Sequence, residues 1–330
     1  MLGYIIRRIL AGITVVLVAM VAAFVLFFVG PTQPEYAICG DRNCTPDRLA
    51  DIRASLSLDE PVMKQFTDYF GGIFTGREIK TGGFTKECPV PCLGYSYVAN
   101  DPVTKLIVER IPVTLSVALG AMVFFLLIGI TTGVYAAIHR GTILDKLLVG
   151  GSLVLSAFPY YIVALLAAIY LSIQYEIFPR GGYVPLTQNP IGWFKGLLLA
   201  WFVLGLVYAT QYARYTRAAM VEALGEDYVR TARAKGLTRR KVYFRHALRA
   251  ALTSVVTILG LDLAGLFAGT IFTERIFDVQ GLGILALNAF NVGDLPLIMG
   301  SVLYAAIILV ALNILIDIVY SFLDPRVRLS

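Results

Sequence analysis

Residues 220–252 read MVEALGEDYVRTARAKGLTRRKVYFRHALRAAL, and the fold is decided by what this stretch is doing between its neighbours. It is the longest polar interruption in the second half of the chain. On either side lie apolar segments too long for a soluble domain. Counted from Arg214 to Arg249 it carries ten basic residues: Arg214, Arg217, Arg230, Arg233, Lys235, Arg239, Arg240, Lys241, Arg245 and Arg249. Everything around it has the composition of a membrane body, so this is the part built to touch something soluble.

Outward from that stretch the composition is extreme. The chain has 330 residues, 58% apolar and 15% charged, with a mean hydropathy of +0.74. A soluble domain cannot hide that much apolar surface, which makes the fold class an all-α polytopic membrane protein. A transmembrane β-barrel is disfavoured because the apolar runs are continuous, not alternating. A net charge of +6 would admit a nucleic-acid partner only if the charges were clustered without reference to the apolar runs. They follow those runs, and no nucleic acid is implied.

Arg7 and Arg8 precede an apolar run over 9–29. It approaches the ~20 residues needed to cross a bilayer, and no A-x-A-like cleavage site follows. The expectation is a retained first helix, not a cleaved signal peptide. Five more spans are expected at 111–138, 147–173, 191–212, 252–272 and 295–323, with Pro159 kinking the third span. Six spans put both termini on one side. The N-terminal arm, the turn 138–147, the loop 212–252 and the tail together hold 16 Lys and Arg against five Asp and Glu; the rest of the chain holds 12 against 17. By the positive-inside rule the basic side is cytoplasmic. The expected organisation is 1–29, arm and first helix; 30–110, an extracytoplasmic segment; 111–323, a core of five helices with a cytoplasmic loop over 214–250; and 324–330, a cytoplasmic tail.

The segment 30–110 contains all four cysteines, Cys39 and Cys44 as C-x4-C and Cys88 and Cys92 as C-x3-C. Outside the membrane thiols oxidise, so one or two disulfides are expected, with three pairings open. A zinc or iron–sulfur site is the alternative, but no histidine or C-x2-C knuckle accompanies them. Phe66, Tyr69, Phe70, Gly71 and Gly72 point to a small folded cap. The outer loop 273–294 holds a turn at 278–283, Asp-Val-Gln-Gly-Leu-Gly.

Inside the basic loop, Gly225 and Gly236 bracket a short helix. Glu226 and Asp227 open it and Arg230, Arg233 and Lys235 close it, an order that suits the helix dipole. Glu226 and Arg230 are spaced for a salt bridge. Ten residues alone hardly hold a helix in water, so a partner is implied. Thr238 is placed to cap a second helix over 239–252 that runs into the fifth span. Charge alone fits a loop held near anionic lipid. Tyr228 with the small residues Thr231, Ala232 and Ala234 argues for docking in a protein groove.

These residues carry a family resemblance. Residues 228–236, Y-V-R-T-A-R-A-K-G, followed by F-R-H-A-L-R over 244–249, resemble the EAA loop of binding-protein-dependent ABC importer permeases, and within them the first permease subunit of dipeptide and oligopeptide importers. Aligned on Gly236, the general E-A-A triplet falls on Arg230, Thr231 and Ala232, and the later proline on Arg249; both departures are typical of the peptide branch. Tyr4-Ile5-Ile6-Arg7-Arg8, Leu56-Ser57-Leu58-Asp59-Glu60-Pro61-Val62, Arg110-Ile111-Pro112-Val113-Thr114-Leu115 and Leu323-Asp324-Pro325-Arg326 resemble further family segments in order. The family's P-G-D-P is Gly30-Pro31-Thr32-Gln33-Pro34 here, its W-P-G-x-G lacks the proline at 279–283, and both cysteine pairs lie in stretches that look inserted.

The resemblance implies a type I ABC importer permease in the cell (inner) membrane. It implies a second permease of similar fold, two ABC ATPases (or one two-domain ATPase) and an extracytoplasmic binding protein. ATP and magnesium would be held by the ATPases, with no cofactor in this chain. Glu226, Asp227, Tyr228, Arg230, Thr231, Arg233, Lys235 and Gly236 would form the coupling helix. Nickel or another small solute is an alternative cargo. An ATPase-independent secondary transporter is the reading from a different class, and it predicts paired intramembrane acids and repeat symmetry.

Asp262 in the fifth span and Asp317 near the end of the sixth are the acids the apolar runs enclose. Since the fifth span lines the path in that family, Asp262 is a candidate for the translocation path, set against a helix-packing hydrogen bond. His139 and His246 lack ligand-spaced partners, and no metal site is expected. No phosphate loop, H-E-x-x-H or G-x-S-x-G is present, so no catalytic residue is expected and the chain is read as a transport subunit, not an enzyme.

Overall fold

The computed structural model describes residues 2–26, 45–55, 59–81, 84–96 and 98–323. In chain order the elements are α1 (Leu2–Phe24), α2 (Pro46–Ser55), α3 (Val62–Thr75), β1 (Arg77–Thr81), β2 (Phe84–Cys88), β3 (Tyr95–Ser96), β4 (Asp101–Pro102), α4 (Val103–Ile138), α5 (Ile143–Ala157) and α6 (Tyr160–Ala167), the last continued by a π-helical stretch Ala168–Gln174. Then come α7 (Pro190–Gly225), α8 (Asp227–Ala234), α9 (Arg239–Lys241) with a π-helical stretch Val242–Ala247, α10 (Leu248–Ile276), α11 (Leu282–Val292) and α12 (Leu295–Leu323). Two compact units divide the chain: Met1–Pro112 with Gly281–Ile314, and Val113–Gln280 with Leu315–Ser330.

In the first unit α1 presents Ile6, Leu10, Ile13 and Val18 outward, as a helix in hydrocarbon does. A Cβ on Gly12 would lie 2.5 Å from Val310 Cγ1, so the glycine is what lets α1 and α12 approach closely. The segment after α1 forms a cap. Its core joins Met20 and Phe24 to Tyr69, Ile73, Leu93, Val103, Ile107, Ala289, Leu297, Met299 and Leu303. β1 and β2 form an antiparallel hairpin from Arg77↔Cys88 to Thr81↔Phe84. Cys88 and Cys92 are joined by a disulfide directly after it; Cys39 and Cys44 lie outside the described residues. The Arg77 guanidinium stands 5.1 Å over the Tyr69 ring, and burial pushes the Tyr69 phenol up to about 12. α11, which the apolar runs did not announce, ends on Gly293 at φ 70°. Asp294 follows it, accepting from the Ser96 hydroxyl and from the Leu297 N–H at 3.4 Å.

In the second unit α4 and α7 approach closely. A Cβ on Gly129 would lie 2.5 Å from Tyr212 Cβ, and one on Gly133 2.6 Å from the Ala213 carbonyl oxygen. That is a G-x-x-x-G face, where backbones meet with no side chain between them. Trp201 packs on Gly120 and donates its indole N–H to the Ser116 carbonyl at 2.9 Å.

Among the described residues four helices are long and apolar enough to cross a membrane, or five if α5 and the Tyr160–Gln174 helix count as one span. At the expected Pro159 kink of the third span the two pieces meet at 94°. Phe158 and Pro159 both leave the helical region, at ψ 133° each. A residue before proline is driven extended by contact with the ring, and the proline supplies no N–H to carry the ladder across. The second span begins at Val103, eight residues before the apolar run suggested, with Pro112 inside it.

Candidate coupling site

The basic loop is built onward from the end of α7. α7 runs unbroken to Gly225, where Glu226 turns extended at ψ 150° and α8 begins. Val229 and Ala232, three residues apart, are the buried face of α8; they pack on Val242, with Leu224 and Tyr243 at the edge. The opposite face, with Tyr228, Arg230, Thr231, Arg233, Ala234 and Lys235, is exposed. Thus the helix is held by its own chain on one side and offered on the other.

Its end is locked by backbone geometry. The Gly236 N–H donates to the Arg233 carbonyl at 2.9 Å and the Leu237 N–H to the Ala232 carbonyl at 3.3 Å. With Gly236 at φ 75°, these two bonds make a Schellman motif, which glycine favours because it has no Cβ to clash. At the start, Arg230 pairs with Asp227 at 3.4 Å, in place of the expected Glu226. Both partners are exposed, and such a pair contributes at most about 1 kcal/mol. The expected Thr238 cap does not form; α9 is carried by its continuity with the π-helical stretch and α10. Partial burial, with Glu226 nearby, raises the Tyr228 phenol above its ordinary value, so it stays a hydrogen-bond donor.

Eight residues before Gly225, Arg217 grips Asp145 bidentately, Nε to Oδ1 at 2.6 Å and Nη2 to Oδ2 at 2.7 Å. The Gly141 N–H donates to Oδ2 at 2.9 Å. This pair ties the start of α5 to the helix that leads into α8. In the sequence Arg217 is one of ten basic residues of the loop and Asp145 one of the five acids on the basic side; nothing in their spacing announces the pair.

Higher in the same unit Tyr212 donates to Asp262 Oδ2 at 3.0 Å, giving Asp262 a packing partner on α7. Sequence reasoning missed Glu274. The apolar run stopped at Phe272, but α10 continues to Ile276, and Glu274 is fully buried with the Thr114 hydroxyl on Oε1 at 2.7 Å. Beside it the Tyr160 and Thr273 hydroxyls meet at 2.7 Å. The usable signal was a Thr-Glu pair placed directly after an apolar run. The side chain of Asp317 is not among those described, and His139 and His246 join no metal-ligand group among the described residues.

Two family models match. The binding-protein-dependent transport system inner membrane component covers residues 129–329, and the corresponding N-terminal membrane component covers 1–118. Among curated proteins, the dipeptide transport system permease protein DppB of Escherichia coli (strain K12) is 34% identical over 351 residues, covering 99% of each chain. A permease protein of Brucella abortus (strain 2308), assigned by its name to a peptide transport system, is 35% identical over 328 residues and also covers 99% of each. Among solved structures, an inward-facing MetNI methionine ABC transporter aligns at a TM-score of 0.55 and 20% identity, over 67% of this chain and 97% of that one; this is a likeness of fold. A membrane body of long apolar helices, a short helix held out on the basic side, and family matches along nearly the whole length make this chain a member of the binding-protein-dependent transport system inner membrane component family.

Proposed function

We propose that the chain is the membrane-spanning permease subunit of an ATP-driven importer that takes up di- or oligopeptides delivered by an extracytoplasmic binding protein. The observation that carries this is α8: a capped helix with one face buried on its own chain and the other presented, joined to α7 through the single bend at Glu226. It is a fixture for receiving force. Relatives of the same length named for peptide and dipeptide transport support the cargo class.

In this reading there are six spans with both termini cytoplasmic, and a second permease completes the path. Two ATPases, or one with two domains, seat on Asp227, Tyr228, Arg230, Thr231, Arg233 and Lys235, between the Glu226 bend and the Gly236 turn. The ATPases hold ATP and magnesium and do the hydrolysis. As they close, α8 moves with them and α7 and α10 follow, opening the path outward; release of the hydrolysis products returns it inward. Asp262 lines the path beside Tyr212 as a polar partner for peptide backbone. A disulfide-held cap faces the binding protein.

The test is uptake in cells lacking this gene, complemented by the wild-type chain, with labelled dipeptide competed by oligopeptides and by nickel. Restored dipeptide uptake that peptides compete for and nickel does not is expected. Nickel uptake restored without peptide uptake would overturn the cargo assignment.

A further inference from the structure

Beside α8 lies a cleft of about 340 Å³ lined by Tyr228, Arg245, His246, Arg249, Ala250 and Thr253. Tyr228 supplies one wall. The helical run from the π-helical stretch into α10 supplies the other, with Arg245, Arg249 and Thr253 following one another a turn apart. No carboxylate lines the cleft, and among the described residues neither guanidinium takes part in an ion pair. The acids next to Tyr228 in sequence, Glu226 and Asp227, stand exposed at the start of α8 and do not line the cleft, and Asp227 is held by Arg230. Two guanidinia facing one hollow repel one another, and an anion placed between them would relieve that repulsion.

The chemistry selects a carboxylate. Planar guanidinia hold its two oxygens in matched pairs of hydrogen bonds, and the Tyr228 and Thr253 hydroxyls can donate to what remains. The position selects its source. Tyr228 is half-exposed and belongs to the presented side of α8, so a protein covering that side also covers the mouth of the cleft. A lipid fits less well: beside the cleft the helix offers Ala250, Thr253 and Thr257, and over residues 245–260, all described, no large apolar side chain is exposed to receive acyl chains.

We propose that the cleft receives an Asp or Glu side chain of the ATPase seated on α8, so that the joint interlocks in both directions, with the short helix entering the partner and a partner carboxylate entering this chain. The proposal rests on the permease reading above. It adds a second anchor, where the π-helical stretch passes into α10, that resists α8 being peeled from the span it drives.

The experiment uses the full chain, affinity-tagged and solubilised with its partners. Retained ATPase is measured for wild type, R245A/R249A, R245K/R249K and R239A/R240A, the last removing the same charge from the same loop outside the cleft. R245A/R249A should lower retained ATPase on the order of tenfold, the scale of an interfacial charge pair losing one side. R245K/R249K should keep part of it, and R239A/R240A nearly all. A second measurement needs no loss of charge. In R249K, a carbodiimide activates a neighbouring carboxylate, the introduced amine displaces the urea, and an amide forms; mass spectrometry should place that amide on an ATPase Asp or Glu. Retention by R245A/R249A equal to wild type overturns the proposal, as does a loss matched by R239A/R240A. So does an amide found only within this chain, on a transported peptide or on a lipid headgroup. If the wild-type chain itself carries no ATPase, the permease reading falls first and the occupant with it.

Discussion

The carboxylate of Asp145 takes three donors at once, two from Arg217 and one from the Gly141 backbone. Its side chain is 6% exposed against 28% for Arg217. Removing one partner strands the other, which for a fully buried pair costs about 3–5 kcal/mol; water reaching Arg217 reduces that to roughly 1–3 kcal/mol here. D145N and R217A should each lower the thermal unfolding temperature in detergent, while the swapped pair D145R/R217D should recover part of the loss. No recovery would mean that packing around Asp145, not the charge pair, holds α5 to α7. Asp294 is the buried acid whose titration bears on stability. Burial raises its carboxyl above the ordinary value, against the hydrogen bonds from Ser96 and from the Leu297 and Val98 N–H groups. The native state therefore keeps a proton that the unfolded chain has lost, and stability from this site is greatest in acid and falls as pH rises through the native value. Unfolding followed between about pH 4 and 7 should show that fall in the wild type and a flatter profile in D294N. An identical slope in both would assign the pH dependence elsewhere.

Elements carry the function through their ends. Gly236 sits at φ 75°, where a Cβ costs about 1 kcal/mol, yet nothing lies within 4 Å of where that Cβ would be. G236A therefore strains only the backbone turn that fixes the angle between α8 and α9. The expected result for G236A and for R233A is normal insertion in the membrane and retained ATP hydrolysis, with peptide uptake per ATP reduced several-fold. Uptake per ATP unchanged in both variants would remove α8 from the coupling path. A different outcome is expected at Gly129. A leucine there must displace Tyr212 and the α7 backbone at once, and overpacking of this kind costs about 1–3 kcal/mol or more; G129L should lower the yield of monodisperse protein. The short helix was legible because its signals are local: glycines at both ends, acids first and bases last. The break in the third span was legible at Pro159, but its angle was not, because a proline marks where the ladder stops and the packing of the two pieces decides where they go. α11 was missed for a related reason. Its eleven residues are too few for a span, and it gains stability from packing on the cap, not from a pattern of its own.

For the whole molecule charge placement is the property a bilayer imposes on a sequence most directly, since cations are retained on one side whatever the helices pack against. Contacts between distant residues were the least legible. Thr114 meets Glu274, Ser96 meets Asp294, and Arg217 meets Asp145, each joining residues far apart in the chain, and one sequence holds no record of which distant residue a polar side chain will find. Glu274 shows the cost of reading polarity by run length, since a buried acid just beyond an apolar run is inside the helix all the same. The proposed topology turns the charge argument into a measurement. If 16 basic residues mark the cytoplasmic side, a reporter fused after residue 330 should be active in its cytoplasmic form, and one inserted at the exposed Glu226 bend likewise. Cys88 and Cys92, bridged beside the hairpin, lie on the other side and should react with a membrane-impermeant maleimide in intact cells once a reductant has opened the bridge. Without reductant that site should stay silent. A maleimide signal at these two cysteines that requires permeabilised cells would invert the whole arrangement, placing α8 outside and out of reach of any ATPase.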